Sequence, residues 1–167
     1  FIRPGGKVLI KPNLLTDRPP EQAVTTHPEL VRSLIRMVRD IRAEPVVADS
    51  PSNVVKIERV WERTGFRAMC AEENVPLLNL EKSGSVEFNR DGFRFNIARP
   101  VIEADFVLNV PKVKTHVLTV LTAAVKNLYG TIPGFQKANL HRSYARPKPF
   151  GRLLAAIHAA IPPALNV

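Results

Sequence analysis

The residues in this sequence best suited to chemistry are lysines, histidines and short polar side chains that follow abruptly on apolar runs. Lys112, Lys114 and His116 come just after Phe106 to Val110, a run interrupted only by Asn109. Lys11 and Asn13 follow the run from Lys7 to Ile10 in the same way, and Asp49 and Ser50 follow Pro45 to Ala48. Thr26-His27-Pro28-Glu29 places a histidine at a helix start, and the stretch 131–149 gathers Lys137, His141, Arg142, Arg146 and Lys148. Lysines beside amides and hydroxyls can hold a negative group or stabilise charge as it develops, and a neighbouring histidine or aspartate can move a proton. The candidate catalytic residues are therefore Lys112, Lys114, His116, Asp49 and His27. Lys11, Asn13, Ser50, Asn109, Thr115, Lys137 and His141 are the candidate ligand contacts. Each has an ordinary reading when taken alone: a lysine before a turn, a turn or N-cap carboxylate at Asp49, an exposed first-turn histidine at His27. The chain has no GxGxxG, Walker or HExxH sequence, and no metal site is expected.

Elements must bring these residues together. Pro111 removes a backbone donor, so the strand 106–110 should stop there. Beyond it, Val117, Leu118, Val120, Leu121, Ala124, Val125 and Leu128 recur at helical spacing, which predicts a helix over 117–129 with Thr115 as N-cap and Gly130 as stop. A strand end, a basic loop and a helix N-terminus make an anion site. Earlier in the chain, Thr26 and Glu29 suit a capping box for a helix running to about Arg42, with Leu30, Val31, Leu34, Ile35, Val38 and Ile41 as its apolar stripe. Residues 56–73 read as two helical pieces broken at Gly65, and residues 150–161 as a last helix. Further strands are expected at 75–80 and at 165–167, the last cut off as it begins, and a hairpin at 85–88 and 93–97 turns on Asp91-Gly92. Residues 14–25 form a loop long enough to cover a site, and 131–149 a second long, basic loop.

Strands alternating with amphipathic helices predict an α/β fold: a mostly parallel sheet with helices on both faces, Rossmann-like in its three layers, with a small β-hairpin at one edge. In such sheets ligands collect beyond the carboxyl ends of the strands. Lys11 with Asn13, Asp49 with Ser50, and Lys112 with Lys114 and His116 all fall at that end.

Composition narrows the classes. A chain of 167 residues with 45% hydrophobic residues suits a single α/β domain over 1–167, read as a fragment of a longer protein. No apolar run reaches membrane-span length and no signal peptide is recognisable, so a cytoplasmic protein with no membrane partner is expected. The lone Cys70 excludes an internal disulfide and a cysteine-only metal or iron–sulfur site within one chain, and reads as a small apolar helix residue. The net charge of +9 is segregated: from Phe106 onward there are eight Lys and Arg and no acid. A solvated basic face and a pocket for an anion both account for that. Three classes follow: an enzyme on a small anionic substrate, a non-catalytic anion- or partner-binding module, and, last, a nucleic-acid binder, disfavoured by 7% aromatics and the lack of a recognised motif.

The segments VLIKPNL (8–14), THPELV (26–31), VVADSP (46–51), DFVLNVPKVKTH (105–116) and VKNLYG (125–130) resemble the DUF362 family, domains of unknown function often joined to a ferredoxin-like iron–sulfur module. The resemblance covers nearly the whole chain. It implies a site built from Lys11, Asn13, His27, Asp49, Lys112, Lys114, His116, Lys126 and Asn127, and implies no particular reaction. On the predicted helix Lys126 would lie about 15 Å beyond the lysine loop, ten residues at the helical rise, so only the resemblance brings it to the site. No cofactor is expected within the chain; 4Fe–4S clusters would belong to a ferredoxin-like domain or partner outside it.

Overall fold

The computed structural model describes residues 2–51 and 56–167. The chain forms β1 (Lys7–Pro12), α1 (Pro28–Asp40), β2 (Glu44–Asp49), α2 (Ile57–Arg63), α3 (Phe66–Glu72) and β3 (Leu77–Asn79). A hairpin of β4 (Ser85–Arg90) and β5 (Phe93–Ala98) follows, then α4 (Arg99–Glu103) and β6 (Phe106–Val110). A second, shorter hairpin, β7 (Lys114–His116) and β8 (Val120–Thr122), leads into α5 (Ala124–Asn127), α6 (Gln136–Ser143), α7 (Pro147–Ala160) and β9 (Leu165–Asn166).

β3, β2, β1, β6 and β9 lie in that order in one sheet, every neighbouring pair parallel. Because side chains alternate across a strand, each central strand feeds two cores. Val8, Ile10, Val47, Leu108 and Val110 pack with Val31, Ile35 and Val38 of α1 and with Phe66 and Met69 of α3. Leu9, Val46, Ala48 and Val107 pack on the opposite face with Phe95 and Ile97 of β5 and with Leu153, Leu154 and Ile157 of α7. The α/β fold with helices on both faces is thus the one expected. The β4–β5 hairpin forms a two-stranded sheet of its own, laid over the second core through Phe93, Phe95 and Ile97. Its turn has Asp91 at φ 52° and Gly92 at φ 79°, the left-handed pair that Asp-Gly favours.

Several local expectations are corrected. No helix spans 117–129: β7, β8 and the four-residue α5 stand there. Of the residues that gave the helical period, Val117, Val120, Leu121 and Val125 are exposed, so no helix face was available to be buried. The stretch 131–149 is not a plain loop but carries α6 and the first turn of α7. Thr26 does not cap α1; His27 does, its Nδ1 accepting from the Glu29 amide at 3.3 Å. Thr26 is buried, where its hydroxyl accepts from the Asn13 amide at 2.8 Å and donates to the Val110 carbonyl at 2.7 Å. Cys70 is buried in α3, and burial pushes its thiol up to about 11. No helix among the described residues is long and apolar enough to cross a membrane.

Candidate functional site

From β1 the chain crosses over α1 to β2 on one side and, later, enters β6 on the other, so the strand order reverses at β1. Loops diverge beyond the carboxyl end of such a strand and leave a crevice. A cleft of about 410 Å³ opens there, lined by Lys11, Asn13, Asp49, Ser50, Lys114, His116, Lys126, Asn127, Lys137 and His141 among others.

Its floor is a buried ion pair. Lys11, 1% exposed, donates from Nζ to Asp49 Oδ1 at 2.6 Å and to the Pro12 carbonyl at 2.9 Å. The second Asp49 oxygen accepts from the Leu14 amide at 2.7 Å, so the carboxylate also fixes the chain as it leaves β1. Gly130 crosses directly above: a Cβ there would stand 2.8 Å from both Asp49 Oδ1 and Lys11 Nζ. By its place in the sequence this glycine is expected to stop a helix. Its actual role is to let the backbone approach the pair.

An amide ladder extends from the floor. Asn127 donates to Asn109 Oδ1 at 2.8 Å and accepts from Asn13 Nδ2 at 3.1 Å, while Asn109 donates to the Ala124 carbonyl at 2.9 Å and to Asn166 Oδ1 at 2.7 Å. β1, β6, α5 and β9 are thereby tied together by side chains whose hydrogen-bonding capacity is spent on one another. Asn109 and Asn127 are buried, and Asn109 serves the site through Asn127 without lining the cleft.

The walls carry the cations. Lys114 and His116 alternate with exposed Thr115 on β7, so the first two face the cleft and Thr115 faces away. Lys114 Nζ donates to Asn13 Oδ1 at 2.5 Å and to the Val24 carbonyl at 2.9 Å, which leaves one of its three donors unused among the described residues. Burial, and then the charge of Lys126, bring its pKa down to about 8. Lys126 enters from α5 because the hairpin folds the chain back where a continuous helix would have carried it away. It has no hydrogen bond or ion pair among the described residues, and burial together with Lys11 lowers its pKa. Lys137 and His141 lie one helical turn apart on α6 and form the far wall. Lys137 Nζ is held by the Ser50 hydroxyl, the Ser50 carbonyl at 2.8 Å and the Pro51 carbonyl at 2.9 Å. It lies 3.7 Å from Glu81, and burial lowers its pKa too.

His116 is held in one tautomer. Its Nδ1 accepts from the amides of Leu118 at 3.1 Å and Thr119 at 3.2 Å, so its proton resides on Nε2. Protonating Nδ1 would break both bonds, and burial with the charges of Lys126, His141 and Lys114 lowers its pKa further. His116 is thus a neutral donor and not a base. The His141 ring, centred 6.1 Å from it, rests against Phe150 at 4.5 Å, and burial and Lys126 lower its pKa as well.

Besides Asn109, three sequence candidates lie apart from this lining. Lys112 does not reach the cleft wall, although its charge acts on Lys114; Thr115 points outward; His27 is an exposed cap. Leu15, Pro51, Tyr129, Gly130 and Ala138 line the cleft and were not among the candidates. Only the Gly130 position, ending the segment VKNLYG, offered a signal. Among the described residues no cluster of three His, Cys, Asp or Glu is placed to hold a metal ion.

Comparison with known proteins agrees with this architecture. The lactate racemase apoprotein from Thermoanaerobacterium thermosaccharolyticum has a like fold, with a TM-score of 0.61 at 15% identity over 96% of this chain and 42% of that one. The thylakoid-associated protein sll1697 of Synechocystis sp. is 32% identical over 169 residues, which take in 100% of this chain and 52% of the relative. The chain therefore spans about half the length of the curated relative it matches. The model of the family described as a domain of unknown function, DUF362, matches residues 8–167, and the chain belongs to that family.

Proposed function

We propose that the cleft binds, and acts on, a small molecule bearing a carboxylate or phosphate. One observation carries this reading: Lys11, Lys114, Lys126 and Lys137 converge on a cleft whose sole lining carboxylate among the described residues, Asp49, is already committed to Lys11. Positive charge in a partly dry crevice favours an anion, and burial, followed by the charge of Lys126, disfavours the protonated form of both cleft imidazoles, which suits them to proton transfer or hydrogen-bond donation. In this reading Lys114 and His116, donating from Nζ and Nε2, meet the negative group, His141 accepts or returns a proton, and Lys126 faces the rest of the bound molecule. The Lys11–Asp49 pair and the asparagine ladder position them.

A ferredoxin-like domain or protein carrying 4Fe–4S clusters is the proposed electron-transfer partner where the reaction is redox. It would lie outside this chain, and its support is the family resemblance.

Calorimetric titration with phosphate and with succinate tests the reading. Lys114→Met should weaken binding by about tenfold or more, the scale of a lost charge-assisted hydrogen bond, and Lys112→Met should change it little. Equal affinity of wild type and Lys114→Met, with folding confirmed by circular dichroism, would move the anion elsewhere.

A further inference from the structure

The two lysines on the open wall are not equivalent. Lys114 is held as a fixed ammonium by two acceptors with one donor left over, which suits it to a carboxylate. Lys126 is half-buried in the same cleft, among cations and imidazoles, and no acceptor among the described residues supports its ammonium form. A desolvated lysine without a counter-ion, beside other cations, is the arrangement that makes a lysine nucleophilic. We infer that Lys126 is a covalent nucleophile that captures the carbonyl carbon of a 2-oxo acid as an imine, while Lys114 and His116 hold the substrate's carboxylate. This rests on the anion-binding reading and assigns the substrate class.

The step balances without a redox partner. Neutral Lys126 Nζ adds to the carbonyl carbon, forming the C–N bond and breaking the C–O π bond. One N–H proton passes through the His141 imidazole to the oxygen, giving a carbinolamine. A second follows as the C–O bond breaks, and the products are imine and water. His141 is the relay in this proposal because it lines the same cleft as Lys126. His116 cannot share it, since its Nδ1 is already bonded to two amides.

The test is borohydride reduction of the full chain in the presence of pyruvate, read by intact mass and peptide mapping, alongside calorimetry with lactate, which has the carboxylate but no carbonyl. The expected result is a single adduct, heavier than the chain by pyruvic acid less one oxygen atom, mapped to Lys126. It should be absent from Lys126→Arg and reduced severalfold in Lys114→Met. Circular dichroism should show Lys126→Arg folded as wild type, so that its missing adduct reports loss of the amine and not of the fold. No adduct, or one spread over surface lysines, overturns the imine whatever lactate does. If lactate still binds in that case, the anion reading stands without the imine; if lactate also fails to bind, both fall.

Discussion

Lys11 shows how a residue's role depends on what surrounds it. A lysine just past a strand is ordinarily a surface residue, yet this one is almost wholly buried and donates to Asp49, Pro12 and Asn127. Removing one member of a buried pair strands the other charge, which typically costs about 3–5 kcal/mol. Lys11→Met should therefore lower the urea midpoint strongly, by a large share of the total stability of a domain of this size. Gly130→Ala should cost about 1–3 kcal/mol, because its Cβ must displace the lysine or the carboxylate it would meet at 2.8 Å. Should Gly130→Ala unfold at the wild-type midpoint, the pair has room to move and does not fix the floor. The strand-end rule was enough to single out Lys11, Asn13 and Asp49, because where a parallel strand stops determines which residues face the crevice. Gly130 was misread because its constraint comes from neighbours far away in sequence, invisible to any local pattern.

Among the elements, the segment after Val110 was the least legible. Its apolar spacing fits a helix, but period alone does not say whether a face exists to bury it, and here most of those side chains stay in water. His116 instead closes a turn with the Leu118 and Thr119 amides, and Lys114 to Thr122 pairs as a hairpin. That difference delivers Lys126 to the cleft and removes the predicted helix N-terminus from the anion site. The hairpin also gives a pH signature. Lys114 is faced by Lys126, Lys11 and Lys112 on the unfavourable side and by Asp49 on the favourable one, and its pKa of about 8 lies well below that of a free lysine. An anion stabilises the ammonium form, so binding raises that pKa and affinity should be full below about pH 7. It should then fall, at most about tenfold per pH unit for this one proton, as pH rises through about 8. Calorimetry in buffers of different ionisation enthalpy should detect proton uptake on binding near pH 8, and Lys114→Met should abolish that portion. Affinity that stays level from about pH 6.5 to 9.5 would exclude Lys114 as the anion's partner.

Over the whole molecule the charge is sorted in two ways. Asp49 and Glu81 serve the cleft lysines Lys11 and Lys137, while Glu73, away from the cleft, meets Arg32 at 3.0 Å, Arg36 at 2.7 Å and Arg39 at 3.5 Å, closing α1 onto the end of α3. In the second half, Lys114, Lys126 and Lys137 point into the cleft, whereas Arg142, Arg146, Lys148 and Arg152 are exposed on α6, α7 and the turn between them, with no ion pair among the described residues. The two readings that composition left open, a basic face and an anion pocket, are therefore both present, on different residues. They should separate by salt. Exposed charges act through water and are screened beyond about 10 Å at 0.1 M ionic strength, while half-buried ones are screened far less. Replacing the four exposed bases by glutamine should weaken succinate binding a fewfold at low salt and leave it at the wild-type value in high salt. Lys114→Met should keep its deficit at both. Binding to a nonspecific DNA duplex, being a matter of phosphate contacts on an open surface, should fall steeply with salt and vanish in the fourfold glutamine variant, with Lys114→Met leaving it unchanged. If DNA binding instead survives the loss of the exposed bases and falls with Lys114→Met, the phosphate backbone occupies the cleft, and a small-molecule site is the wrong reading of these lysines.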